Sequence, residues 1–332
     1  MANSKYNKCI LVTDLDGTLL KPLSYDQNDY IVPEANRAFL SRFLLGSGKV
    51  VLWSGHSLSV CEKIIAQQAE YMGVDAKALP INIVARNGSL AKVNKSIIHD
   101  VKIAPSIVSK IEALVRRKDA EWKKNGIDEV SSFSIGGIRT PFVVHKHAGD
   151  DDTIIAAEDV IAKIFGNTAC RYDKNAATNE NAYINLADDN EFEFASKHAN
   201  EIVVFSKNND KFADIIKTIL AEFDEHVEMA NSFELISKGQ NKVNTLVELI
   251  KVMDPIAKSE LIIIGDGKRD IPAITFAREE LKARSKLKLG FAIKAIDKLG
   301  NVSNKEVIDS VEADHVVEFV ADIEKLINKS IM

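Results

Sequence analysis

Five short, almost wholly apolar runs recur along the chain, and they constrain its fold more than any other feature. Each run is rich in bulky aliphatic residues, which is typical of strands buried on both faces of a parallel sheet. Apolar residues at helical spacing lie between the runs, for example at Leu58, Cys61 and Ile64 and again at Leu246 and Ile250. This alternation predicts an α/β sheet with helices on both faces. The five runs occupy residues 9–12, 50–53, 81–84, 261–264 and 289–293.

The region from about residue 91 to about residue 236 has a different pattern. Its strand candidates are shorter and alternate more often with polar residues, which predicts a sheet with one exposed face. These candidates lie at 142–145, 182–186, 202–206, 226–229 and 233–236, and helical patterns lie at 107–115, 154–165 and 212–223. We therefore predict an inserted α+β domain at 91–236, between core segments 1–90 and 237–332. Turn-forming residues near Asn87-Gly88 and near Gly239 mark the expected linkers.

Composition limits the partners that the chain can have. The 332 residues carry a net charge of −5 and no long basic run, so we expect no nucleic-acid or membrane partner and predict a small-molecule ligand. Three widely spaced cysteines, Cys9, Cys61 and Cys170, argue against a disulfide framework and for a reducing, cytoplasmic location. The apolar stretch at 9–12 is too short for a signal peptide or membrane span. The sequence does not indicate the oligomeric state.

Two carboxylates follow the first apolar run, at Asp14 and Asp16, before the turn residue Gly17. Side chains at i and i+2 of a strand leave on the same side. Two carboxylates that close together repel each other unless a cation lies between them, so a metal site or an acid–base pair is expected. A surface turn is the alternative, because Asp-Gly is common in turns.

Three further segments place polar groups where strands or helices begin or end. Asp266 and Asp270 follow the run at 261–264, and Asp266 would meet Asp14 if the two strands are neighbours; helix capping is the alternative. Ser54 and Gly55 follow the run at 50–53 and suit a phosphoryl oxygen, or form an ordinary helix cap. Lys242 opens a helix, where the helix dipole disfavours a cation. This position favours a role for Lys242 other than helix stability, although a solvated lysine is equally compatible.

The order of these motifs resembles that of the haloacid dehalogenase-like (HAD) phosphatases. The resemblance rests on Asp14-Leu-Asp16-Gly-Thr, the run ending in Ser54-Gly, Asn87-Gly-Ser, Lys242, and Gly-Asp266-Gly-x-x-Asp270. More narrowly, the chain is similar to the Cof-like subgroup with a large type-II cap, which includes sugar-phosphate phosphatases. The sequence departs from the family pattern at His56, where Arg is common, and at Arg269, where Asn is common. These departures concern substrate positioning more than the chemistry.

The resemblance implies a role for each motif residue. Asp14 would be the nucleophile that forms an aspartyl-phosphate, and Asp16 the acid and base. Ser54, Gly55 and Lys242 would bind the phosphoryl oxygens. Asp14, the main-chain carbonyl of Asp16 and Asp266 would hold Mg²⁺, and Asp270 would support these ligands without touching the metal.

We therefore predict a Mg²⁺-dependent phosphomonoesterase acting on a small phosphorylated metabolite, most readily a sugar phosphate. Its expected fold is a three-layer, Rossmann-like α/β core with a parallel sheet and an inserted α+β cap. Cap residues Arg139 and Lys146 are candidates for contacting the substrate, whereas the pair His145 and His147 lacks nearby partners for a metal site. The alternatives are a phosphomutase of related fold and a non-catalytic protein that binds sugar phosphates.

Overall fold

The computed structural model describes most of the core of the chain and parts of its middle region. The described residues are 5–20, 30–127, 131–137, 141–144, 170–171, 182–185, 189–206, 208–230, 234–256, 259–265, 270, 287–293, 315–317 and 322–324. The predicted helix at 154–165 lies outside them. None of the helices in these ranges is both long and apolar enough to cross a membrane.

Strands and helices alternate along the described residues. The strands are β1 (Cys9–Thr13), β2 (Lys49–Trp53), β3 (Ile81–Ala85), β4 (Leu90–Val93), β5 (Ser96–Asp100), β6 (Ser132–Gly136), β7 (Pro141–Val144), β8 (Cys170–Arg171), β9 (Ala182–Asn185), β10 (Glu201–Phe205), β11 (Val227–Met229), β12 (Glu234–Ser237), β13 (Glu260–Gly265), β14 (Leu287–Ile293) and β15 (His315–Val317). The helices are α1 (Glu34–Leu45), α2 (Leu58–Met72), α3 (Pro105–Lys124), α4 (Asp189–Ser196), α5 (Asn209–Phe223) and α6 (Lys242–Met253). Short helical turns lie at Leu15–Leu19, Ala76–Ala78 and Arg86–Gly88.

The chain divides into two compact units. The first comprises Met1–His56, Val60–His99 and Lys242–Met332, and the second comprises Ser57–Ser59 and Asp100–Asn241. The predicted boundaries after residues 90 and 236 differ from this division. The boundary predicted after residue 90 differs because β4 and β5 extend the core sheet before the chain enters the second unit. Arg86–Gly88, expected as a linker, instead joins β3 to β4 within that sheet.

The first unit contains a mainly parallel sheet. In its described part the strand order is β15-β14-β13-β1-β2-β3-β4-β5. The strands from β15 to β3 pair in parallel, whereas β4 runs antiparallel to β3. All five predicted core strands are confirmed, and the predicted three-layer α/β core is confirmed with them. The carboxyl ends of β13, β1, β2 and β3 therefore lie in a row along one edge of the sheet.

Alternating residues of the central strands face different helices. Ile10 and Val12 of β1 share a buried cluster with Leu246 and Leu249 of α6. Since neighbouring strand residues point to opposite faces, Leu11 faces the other side of the sheet. Helix α1 contacts the neighbouring strand β2. Complete burial of these aliphatic side chains supplies the main stabilisation of the core.

The second unit is an α+β structure, as predicted. Its sheet order across the described strands is β11-β12-β10-β6-β7-β9-β8, with antiparallel pairing from β11 to β7. Helices α3, α4 and α5 pack on the face that carries Phe133 and Ile202. The opposite face was expected to be exposed, but Val203 and Ile236 are buried there. The long side chain of Glu201 also lies on that face, across Gly136.

Candidate active site

Asp14 is the first residue beyond β1, at the carboxyl edge of the core sheet. Its backbone N–H donates to the carbonyl of Ile264 in β13 at 3.0 Å, and Thr13 Oγ1 donates to the Asp14 carbonyl at 2.9 Å. The chain then turns sharply, with Gly17 at a φ of 72°, in the left-handed region that glycine adopts without strain. These contacts hold a carboxylate that is only 7% exposed at the centre of the edge.

Lys242, the first residue of α6, reaches the same point from another part of the sequence. Its Nζ lies 2.7 Å from Asp14 Oδ1 and 3.3 Å from Asp270 Oδ1. Burial alone would lower the pKa of the ammonium, but Asp14 and Asp270 outweigh burial and raise this pKa above its ordinary value. Lys242 is therefore a permanent cation held between two carboxylates.

Ser54 follows β2, the neighbour of β1 in the sheet, and is almost fully buried. Its backbone N–H donates to Val84 of β3 at 2.9 Å, and its hydroxyl oxygen accepts from the His56 backbone N–H at 3.1 Å. A hydroxyl that accepts in this way keeps its own hydrogen for donation to a ligand oxygen. Gly55 passes close to Asn87, since a Cβ on Gly55 would lie 3.0 Å from the amide oxygen of that side chain.

The turn after β3 is fastened to the Ser54 segment. Arg86 and Asn87 both have left-handed φ values, 49° and 52°, which is unusual for two consecutive residues that are not glycine. The backbone N–H of Arg86 donates to the His56 carbonyl at 3.0 Å, and that of Asn87 donates to the Ser54 carbonyl at 3.3 Å. Strain of this kind persists where surrounding contacts impose it, and it concentrates at functional sites.

Asp16 contacts the side chain of His56. His56 Nε2 lies 2.6 Å from Asp16 Oδ2. Partial desolvation raises the pKa of Asp16, but the nearby His56 and Lys242 outweigh this effect and hold the pKa below its ordinary value. Asp16 is therefore an ionised carboxylate at neutral pH in the free protein.

Comparison with known protein families identifies the family of this chain. Residues 11–320 match the profile of the haloacid dehalogenase-like hydrolases. The chain belongs to this family. The resemblance noted in the sequence is thus confirmed for the family, and Asp14, Ser54 and Lys242 of its motifs lie at the carboxyl edge of the core sheet. Comparison with the curated proteins gives no match.

Solved structures share the fold of this HAD hydrolase over nearly its whole length. A haloacid dehalogenase-like hydrolase from Bacteroides thetaiotaomicron is 17% identical, with 96% of this chain and 99% of that chain covered and a TM-score of 0.61. A HAD subclass IIB sugar phosphatase is 16% identical, with coverages of 98% and 100% and a TM-score of 0.60. Another phosphatase of the superfamily from Bacteroides thetaiotaomicron is 15% identical, with coverages of 100% and 98% and a TM-score of 0.59.

The structure brings several of the predicted site residues together. Lys242 contacts both Asp14 and Asp270. Ser54 and Gly55 follow β2, which is paired with β1. Other predicted residues lie outside the described residues: Asp266, and the candidate substrate residues Arg139 and Lys146 together with His145 and His147.

The edge of the sheet supplies two of the three oxygen donors expected for Mg²⁺. Hard oxygen donors suit Mg²⁺, and the edge offers the Asp14 carboxylate and the main-chain carbonyl of Asp16. Asp266 would follow Gly265, the last residue of β13, which pairs with β1. Among the described residues no group of three or more His, Cys, Asp or Glu side chains is arranged to hold a metal ion. The oxygen donors at Asp14 and Asp16 fit Mg²⁺, and Asp266 is the third ligand that the expected site requires.

Sequence reasoning missed three residues that shape the site. Trp53 donates from its indole N–H to the main-chain carbonyl of Lys242 at 2.9 Å. Tyr30 packs edge-on against His56, with ring centroids 5.2 Å apart. His56 was noted only as a departure from the family pattern. The signal in the sequence that could have drawn attention to Trp53 was a tryptophan at the end of an apolar run, directly before Ser54.

Proposed function

We propose that this HAD hydrolase is a Mg²⁺-dependent phosphatase that cleaves phosphomonoesters of small polar metabolites, with sugar phosphates as the favoured class, through a phosphorylated Asp14. The observation that carries the proposal is the Lys242 ammonium between Asp14 and Asp270. A carboxylate cannot approach a phosphate dianion without nearby positive charge, and Lys242 supplies such charge beside the attacking group. The fold shared with a sugar phosphatase supports the substrate class.

In the first step, a carboxylate oxygen of Asp14 attacks phosphorus. A bond from that oxygen to phosphorus forms, the bond from phosphorus to the ester oxygen breaks, and the leaving alcohol takes a proton from Asp16. Lys242 holds Asp14 Oδ1 at 2.7 Å, which limits rotation of the nucleophile. The Ser54 hydroxyl and the Gly55 backbone N–H donate to phosphoryl oxygens.

In the second step, water attacks phosphorus and Asp16 accepts the proton of that water. The bond from Asp14 to phosphorus breaks, inorganic phosphate leaves, and the carboxylate is restored. The lowered pKa keeps Asp16 ionised, so its carboxylate is available to accept that proton. A substrate dianion bound nearby adds negative charge and raises the pKa of Asp16, which favours the protonated form required in the first step.

Mg²⁺, held by Asp14, the carbonyl of Asp16 and Asp266, would neutralise negative charge on the phosphoryl group. Asp270 would orient Lys242, which it approaches at 3.3 Å. Two of the cysteines, Cys9 and Cys61, are buried and reduced, and this supports a reducing, cytoplasmic location for the reaction.

A screen of phosphorylated metabolites with Mg²⁺ tests the proposal, with released phosphate and isomerised ester measured in the same reactions. We expect phosphate release from one or more sugar phosphates, loss of that release in Asp14→Asn, and wild-type release in the matched control Asp224→Asn, an exposed residue of the second unit. Formation of an isomer without phosphate would show a phosphomutase. Binding of a sugar phosphate without either product would show a non-catalytic protein.

A further inference from the structure

We infer that His56 is a positioning residue for Asp16, holding its carboxyl where it can exchange a proton with the ester oxygen. This inference rests on the proposed function. His56 Nε2 lies 2.6 Å from Asp16 Oδ2. The side chain of Asp16 is 46% exposed, whereas that of His56 is 22% exposed. The exposed partner is the one with rotational freedom to lose, so the contact restrains the aspartate more than the histidine.

The backbone of His56 is held at both ends. Its N–H donates to Ser54 Oγ at 3.1 Å, and its carbonyl accepts from the Arg86 backbone N–H at 3.0 Å. Both partners belong to segments that follow core strands, β2 and β3. His56 is therefore mounted on the edge of the sheet that also carries Asp14, and not on a free loop.

The ring of His56 is restrained as well. Tyr30 packs edge-on against it, with an angle of 81° between the ring planes. Tyr30 is in turn fixed by α2, because Gln67 Nε2 donates to the Tyr30 carbonyl at 3.0 Å. A side chain that is locked by its own packing and hydrogen bonds can hold a neighbouring group in the geometry that a reaction needs.

Holding Asp16 has a specific chemical consequence. In the first step the proton moves from the Asp16 carboxyl to the ester oxygen while the bond from phosphorus to that oxygen breaks. An alkyl alcohol needs this proton, because the alkoxide is a poor leaving group; a nitrophenolate leaves without it. In the proposed mechanism Ser54, Gly55 and Lys242 bind the phosphoryl group, and the His56 side chain does not take part in that binding. Loss of His56 should therefore damage turnover of alkyl phosphates and spare both substrate binding and the first step on an aryl phosphate.

The test compares His56→Ala and His56→Gln with wild-type enzyme on the best sugar phosphate and on p-nitrophenyl phosphate. For His56→Ala we expect kcat on the sugar phosphate to fall about tenfold to 100-fold, a part of what general acid catalysis contributes, with KM nearly unchanged. The initial burst of nitrophenolate from the aryl ester should persist. His56→Gln keeps an N–H near the Nε2 position and should restore part of the lost kcat.

Two controls separate this role from general damage. His226→Ala changes an exposed histidine of the second unit and should match wild-type kinetics. In a double-mutant cycle, Asp16→Asn and His56→Ala should be strongly non-additive in kcat on the sugar phosphate, because the second change has nothing left to position.

Other results would overturn the inference. An unchanged kcat on the sugar phosphate in His56→Ala would overturn it. So would a result in which both His56→Ala and His56→Gln lose the nitrophenolate burst and the sugar-phosphate turnover to the same extent. If wild-type enzyme releases phosphate and Asp14→Asn does not, those results overturn only the role of His56. If wild-type enzyme releases no phosphate from any ester, the proposed function itself fails and the role of His56 fails with it.

Discussion

The indole N–H of Trp53 donates to the main-chain carbonyl of Lys242 at 2.9 Å, and the Lys242 ammonium lies 4.9 Å from the centre of the same ring. One fully buried side chain at the end of β2 therefore contacts both ends of the lysine. The hydrogen bond fixes where α6 begins, and the cation–π contact favours the rotamer that places Nζ beside Asp14.

Replacing Trp53 by Phe should weaken phosphate binding. Trp53→Phe keeps an aromatic ring but removes the indole N–H, so the free energy of unfolding should fall by about 1–3 kcal/mol for one buried hydrogen bond and the carbonyl left unpaired. We expect KM to rise several-fold and kcat to change less, because Lys242 binds the phosphoryl group in both ground and transition states. Steady-state kinetics and urea unfolding measure both effects. Trp122→Phe, in α3 of the second unit, is the matched control, and an unchanged KM in Trp53→Phe would contradict this account.

A methyl group at Gly265 should displace Asp270. A Cβ on Gly265 would overlap the Asp270 side chain, so that Gly265→Ala must move the carboxylate and disturb Lys242 with it. We expect kcat/KM to fall about tenfold or more and stability to fall by about 1–3 kcal/mol, as is common for overpacking. Gly126→Ala is the control: its φ of 82° strains alanine, but no described atom lies within 4 Å of the added methyl. That variant should lose stability and keep activity; equal activity losses in the two variants would point to unfolding instead.

Alkaline pH should destabilise the fold through Cys61. Burial raises the pKa of this thiol from 9.0 to about 12, so the folded chain keeps the proton that the unfolded chain loses. The resulting stabilisation is complete below about pH 9 and is lost as the pH rises from about 9 towards about 12. Urea unfolding at about pH 8 and about pH 10 should show a drop that is smaller in Cys61→Ala. The same drop in both proteins would mean that groups other than Cys61 cause the loss of stability. Tyr30 is not one of them over this range: burial raises its pKa to about 12, so it contributes only above about pH 10.

The core and the centre of the site could be predicted because their signals are local. β1, β2 and β13 have central residues that are buried and apolar, and the carboxylates and hydroxyl that follow these strands stand out at their ends. The rule that parallel strands end at one edge brings Asp14, after β1, close to Ser54, after β2. Lys242 begins a helix and does not end a strand, so its contact with Asp14 at 2.7 Å depends on the position of α6, which no local pattern encodes.

Other features depend on geometry that a sequence pattern does not encode. The residues of β5 fall inside the insertion predicted at 91–236; most of them are exposed, so their pattern is not that of a core strand. The contact between His56 and Asp16 requires the sharp turn at Gly17 and the strained turn at Arg86. The roles of Arg139 and Lys146 in substrate choice stay predictions.

Removal of divalent metal should abolish phosphate release, and added Mg²⁺ should restore it. Ca²⁺ should not, because its larger and looser coordination shell misplaces the attacking carboxylate. Mg²⁺ should also raise the melting temperature of the wild-type protein by binding its folded state, and Asp266→Ala should lose most of that increase. Normal turnover by the chelator-treated enzyme would contradict the metal assignment.

The site of phosphorylation during turnover tests the central claim most directly. Enzyme mixed with its best substrate and Mg²⁺ is quenched in acid, and its peptides are analysed by mass spectrometry. We predict one phosphoryl group on the peptide that carries Asp14, none in Asp14→Asn, and turnover of that variant reduced by orders of magnitude. A phosphoryl group on a different residue, or turnover of Asp14→Asn within about tenfold of wild type, a barrier change of only about 1.4 kcal/mol, would contradict it.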